Sequence, residues 1–155
     1  MTPSELIKHA DVLGLLEDED LVPLSNMLEP ITLTKGQVLI REGKRAPGTF
    51  LIIQGEVQIE KRLPGDTDRV LVSPVKPGEW IGIVSLLDEK EATAAVVALT
   101  DGIALAMNRA NFETLRTENN ALSMRFGRTV LACLAQQLVR VNQSVSGLRS
   151  ALERR

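Results

Sequence analysis

Cysteine is all but missing from this chain: Cys133 is the only one in 155 residues. Neither a disulfide framework nor a cysteine-ligated cluster can form within one chain, so a buried thiol serving as a small apolar side chain is the expected role. Histidine is as scarce, and His9, with no ligand-type neighbours in sequence, is not expected to hold a metal. A surplus of charge is absent too. The net charge of -2 gives no electrostatic reason to expect a phosphate-backbone partner. No apolar run approaches the length needed to cross a bilayer, and the segment from Met1 to His9 lacks the apolar stretch of a secretory leader. A cytoplasmic location is therefore expected. No nucleophile, base and orienting group stand together in a motif, and no enzymatic activity is expected.

What the chain does have is dense turn punctuation. Thr2, Pro3 and Glu5 carry the spacing of a helix start: Thr2 caps, Pro3 suits the first helical position and Glu5 reaches back in a capping box. Val12, Leu13, Leu15, Leu16, Leu21, Val22, Leu24 and Met27 then recur at mixed spacings, which suits short helices with one packed face. The acid run from Glu17 to Asp20 reads as a solvated helix start. From Glu29 to Asn108 short β-branched segments alternate with glycine and proline, the pattern of a small antiparallel β-structure. Strands are expected over 30–33, 38–40, 49–54, 56–61, 69–74, 94–98 and 103–107. Val57 and Ile59 alternate with Gln58 and Glu60, so one face of that strand should be buried and the other wet. So many short strands must close on themselves or pack as two sheets.

After Asn108 the period becomes helical. Asn108 or Asn111 can cap a helix carrying Phe112 and Leu115, and a second helix is expected to start near Asn119 or Asn120. Leu131, Leu134, Leu138, Val141, Val145, Leu148 and Leu152 follow at alternating steps of three and four, which is a heptad seam. Such a stripe is best buried against a copy of itself, so these seven residues are the expected homodimer interface. The alternative is that the helix packs on its own barrel, and Gly147 tells mildly against a rigid rod. Flanking positions Gln137, Asn142, Ser144 and Arg149 carry almost no opposite charge, so electrostatics does not select the partner. The expected division is 1–118 for N-terminal helices plus β-roll and 119–155 for the dimerisation helix.

The stretch from Lys76 to Thr100 organises the remainder: a turn at Pro77 and Gly78, a short helix after Gly82, then a strand. Its sequence resembles the phosphate-binding cassette of cyclic-nucleotide-binding domains of the catabolite-activator/FNR type. Gly82, Val84, Ser85, Leu86, Leu87, Thr93 and Ala94 fall on the cassette pattern. The runs Gly36 to Gly43, Phe50 to Val57 and Pro77 to Gly82 repeat the family's glycine and apolar spacing in order, so the resemblance covers Val12 to Asn119. It implies a mainly β fold: an antiparallel sandwich or jelly roll with N-terminal helices and a long C-terminal dimer helix. Trp80, the only tryptophan, reads as a packing residue at the cassette entry.

The departures from the family matter as much. Where the family has the glutamate that holds the ribose this chain has Ile83, and where it has the arginine that pairs with the cyclic phosphate it has Ala92. Removing the cationic partner of a desolvated anion costs about 3–5 kcal/mol, or roughly two to four decades of affinity. Lys90 could substitute, but an ammonium lacks the two-pronged fit of a guanidinium, and Asp88, Glu89 and Glu91 make its surroundings negative. The expected, degenerate ligand site is thus Gly82, Ile83, Val84, Ser85, Ala92 and Thr93, with Val141 and Asn142 aligned on the family's base-contacting helix positions. Its apolar lining could be filled by side chains, stay partly empty or take a ligand of lower charge. No cofactor is expected, and cyclic AMP or cyclic GMP is disfavoured. Haem and iron-cluster sensing in related proteins need ligands this chain does not supply. The family's transcription factors continue into a winged helix-turn-helix, whereas only Glu153, Arg154 and Arg155 follow Leu152, so direct DNA binding is not expected. The sequence thus suggests a homodimeric, non-enzymatic regulatory module that acts on a protein partner, away from membranes. The alternative is a sensor that binds a cyclic nucleotide or other small ligand in the same pocket.

Overall fold

The computed structural model describes residues 1–11 and 13–154, at 66–69 and 71 for the backbone alone. Val12, counted above in the apolar series, and Arg155, counted after the seam, lie outside the described residues. Helix α1 (Pro3–Ala10) opens with the anticipated capping box: Glu5 N–H donates to Thr2 Oγ1 and Thr2 N–H donates to Glu5 Oε2. A 3-10 turn (Asp18–Asp20) and the short α2 (Leu21–Ser25) follow.

Among the described residues eight strands form two four-stranded antiparallel sheets. The first pairs β1 (Glu29–Leu33), β8 (Gly102–Asn108), β3 (Gly48–Gln54) and β6 (Trp80–Ile81), in that order. The second pairs β2 (Val38–Ile40), β7 (Ala95–Ala98), β4 (Val57–Leu63) and β5 (Asp66–Val75). Pro30 and Pro74, which cannot donate to a ladder, both sit in edge strands. Each expected strand is present within a few residues. β6 was not anticipated; two residues are too short to show a period, and only its pairing with Phe50 and Leu51 of β3 defines it.

Two cores result. Between the sheets lie Leu33, Ile40, Phe50, Ile52, Val57 and Val96. The outer face of the first sheet, through Leu51, Leu105 and Met107, packs on helices through Leu6, Leu24, Phe112 and Phe126. The first sheet is therefore covered on both faces, which is why β3 reads as a nearly continuous apolar run while β4 alternates.

Helix α4 (Arg109–Thr117) is capped by Asn108, and α5 (Ala121–Glu153) by Asn120. α5 runs unbroken through Gly147, so the glycine does not interrupt the rod. The acid run corrects the sequence reading at one position. Asp18 and Glu19 are solvated, but Asp20 is only 2% exposed. Its carboxylate accepts from Arg125 Nε at 2.6 Å and Nη2 at 2.7 Å, and from Glu17 N–H at 2.8 Å. The pairing fixes the start of α5 to the N-terminal helices, and its hydrogen bonds hold the Asp20 carboxyl below the usual carboxylate range.

Candidate functional site

The candidate site begins where β6 ends. Gly82 takes φ 86°, and a Cβ there would meet Gly48 O at 2.7 Å and Ile40 Cδ1 at 2.9 Å, so glycine alone lets the chain turn against the sheet. Helix α3 (Ile83–Asp88) starts at once and is followed by a loop leading to β7. The loop is pinned by backbone: Ala92 N–H donates to Lys44 O and Gly43 N–H to Ala92 O, both at 2.8 Å. Ser85 ties helix to loop, its hydroxyl donating to Lys90 O at 2.7 Å and accepting from Ala46 N–H at 3.5 Å.

This frame borders a cavity of about 170 Å3 that opens to solvent beside Val84, Asp88, Glu91 and Thr93. All six anticipated cassette residues, Gly82, Ile83, Val84, Ser85, Ala92 and Thr93, line it. Ile83 is 2% and Ala92 9% exposed, so hydrocarbon occupies both positions at which the resemblance expects a charged grip. The opposite wall is Ile40 of β2, Ile59 of β4 and Val96 of β7. Asp88 and Glu91 also border the cavity, and among the described residues lining it there is no lysine, arginine or histidine. Lys90 is exposed and outside the lining; Lys61 Nζ is bonded to Thr93 O at 3.1 Å.

The long helix closes the cavity at a different place from the one aligned by sequence. Leu134 and Gln137 line it, whereas Val141 and Asn142 are exposed on α5 and take no part in the lining. The displacement is about one to two helical turns. The reason is a contact pattern at i, i+4 and i+7 that sequence reading missed. Trp80 N–H approaches Cys133 Sγ at 3.4 Å, Gln137 Nε2 donates to Trp80 O at 3.3 Å, and the Arg140 guanidinium pairs with both oxygens of Glu79, Nη2 lying 2.9 Å from Oε2. Gln137, read above as a flanking position of the seam, instead faces its own barrel. The available signal was Glu79, an acid directly before the apolar pair Trp80 and Ile81, with Arg140 in step with Cys133 and Gln137.

Burial pushes the Cys133 thiol above its ordinary pKa, and the Glu79 hydrogen bonds raise that of Arg140. Trp80 is buried, its ring edge-on to Phe126 with centroids 5.2 Å apart, as a packing residue should be. Of the seven seam positions only Leu134 packs partly on the core; Leu131, Leu138, Val141, Val145, Leu148 and Leu152 are 49–69% exposed. Among the described residues no cluster of metal-ligating side chains occurs and no helix is long and apolar enough to cross a membrane.

A two-sheet sandwich with a glycine-led turn, a short helix and a long C-terminal helix bordering this cavity is an architecture shared with known domains. Residues 30–119 match the cyclic nucleotide-binding domain, and the chain belongs to that family. It is similar to the CRP-like cAMP-activated global transcriptional regulator of Mycobacterium tuberculosis, with 24% identity over 144 residues, 93% of this chain and 62% of the regulator. It is also 37% identical over 95 residues to the acetyltransferase Pat of Mycolicibacterium smegmatis, across 61% of this chain and 28% of the enzyme. Among solved structures, a cyclic nucleotide-binding domain from Methylobacillus flagellatus superimposes with a TM-score of 0.79 at 19% identity, covering 94% of this chain and 82% of that one. The domain is regulatory in kind, and it spans less than two thirds of these two curated relatives.

Proposed function

We propose that this domain is a non-enzymatic regulatory module that does not hold cyclic AMP or cyclic GMP in the family's usual way, and that it works as a homodimer by contact with another protein. One observation carries the reading: the cavity has Ile83 and Ala92 at its two grip positions and carboxylates, but no basic side chain, among the described residues lining it. A cyclic phosphate placed there would lose water without gaining a counter-ion. Although the tuberculosis relative is named as cAMP-activated, that property is not extended to this chain.

Support for pairing comes from α5. Its exposed Leu and Val stripe has the spacing of knobs-into-holes packing, and a single helix of this kind standing free of its domain is marginal in water. A second copy covering the stripe would remove it from solvent.

Calorimetric titration with cyclic AMP and cyclic GMP up to millimolar concentration tests the ligand part. No saturable heat at micromolar concentration is expected, and low-micromolar binding overturns it. In the Ile83→Glu, Ala92→Arg double variant, affinity should rise by decades if loss of the grips is what disarmed the site.

A further inference from the structure

The cavity has lost its charges but has not been filled, and this carries an inference that rests on the reading above. Its volume of about 170 Å3 has room for a benzene-sized guest, which engineered hydrocarbon cavities of about 150 Å3 take up, and it opens to solvent beside Val84, Asp88, Glu91 and Thr93. Ile40, Ile59, Ile81, Ile83, Val96 and Leu134 supply aliphatic wall on several sides. Of the uncharged polar side chains in the wall, the Ser85 hydroxyl donates to Lys90 O and the Gln137 amide N–H to Trp80 O, while Thr93 and the Gln137 carbonyl are the further polar groups there. Asp88 and Glu91 are the charged side chains among the described residues lining the space, and the Lys61 ammonium is engaged at Thr93 O, so an anion would face two carboxylates and no cation in the wall itself. Size, wall and charge thus select one class of guest.

We propose that the pocket binds a small uncharged hydrocarbon-rich molecule, the size of one aromatic ring or two fused rings. Leu134 and Gln137 put α5 in contact with such a guest, and through Trp80 the same helix is tied to the turn before the cassette.

The test is a methyl NMR titration of the intact chain carrying labelled isoleucine, with toluene and indole as neutral probes, benzoate as the anionic control, and cyclic AMP. At least one neutral probe should shift the Ile40, Ile59, Ile81 and Ile83 methyls saturably with a submillimolar Kd. Benzoate should bind at least ~10-fold more weakly, and cyclic AMP should give no saturable shift at micromolar concentration. If neither neutral probe saturates these methyls below its solubility limit, or if benzoate matches them, the inference is wrong while the pocket's refusal of cyclic nucleotides stands. Micromolar binding of cyclic AMP would instead overturn that refusal and the inference with it. Ala92→Leu narrows the cavity from the loop and Leu134→Trp from the helix. A folded variant of either kind should bind the neutral probe at least ~10-fold more weakly, and unchanged binding places the probe elsewhere and sinks the assignment.

Discussion

The two halves of α5 share a helix but not a fate. The first half buries Phe126, Thr129, Val130 and Cys133 and bonds to the cassette turn through Gln137 and Arg140. From Val141 onward every described residue is exposed, although the Leu and Val spacing continues unchanged. Periodicity alone therefore reports that a helix has an apolar stripe, not what covers it. The covering is decided by where the barrel stops.

The sharpest way to break this contrast is at the proximal core. Phe126→Ala removes a ring that packs against Trp80 and Phe112 and should cost about 4 kcal/mol of unfolding free energy in urea melts, at any protein concentration. Along the exposed stripe, Leu138→Asp with Val145→Asp should weaken self-association at least ~100-fold by sedimentation equilibrium, nearly 3 kcal/mol, with little change in the fold of the barrel by circular dichroism. A monomeric parent protein would remove the basis of that comparison. Glu79→Gln discharges the partner of Arg140 and should cost about 2 kcal/mol, with faster amide exchange around Gln137 and no change beyond Val145. The smallest effect is pH-dependent. Asp20 has a folded pKa below its unfolded one, so its contribution is fully present above about pH 4 and drains as pH falls through the folded value. The stability gap between the parent protein and Asp20→Asn, read from urea midpoints, should be widest near neutrality and narrow in acid.

The sandwich was legible because its corners are marked by glycine and proline and its strands by alternation; Thr2 gave one helix start, and the open choices of Asn108 or Asn111 and Asn119 or Asn120 each held the cap found. The cassette was legible as well, since Gly82 and the residues after it form a local pattern. What escaped is non-local. Asp20 looks like any solvated acid until Arg125, far along the chain, is folded against it. β6 exists only through its pairing with β3. Val141 and Asn142 were placed by aligning their segment with the resembling family, whereas the contacts of α5 with its own barrel run through Cys133, Gln137 and Arg140 at the turn of Glu79 and Trp80.

Trp80 borders the pocket, touches the helix through its backbone and stacks edgewise on Phe126. Because the chain has no tyrosine and no second tryptophan, its ultraviolet emission comes from that single indole. A guest entering the pocket or a shift of the helix should change the colour or brightness of one lamp, so the protein brings an intrinsic optical gauge to the junction where sensing and pairing would meet.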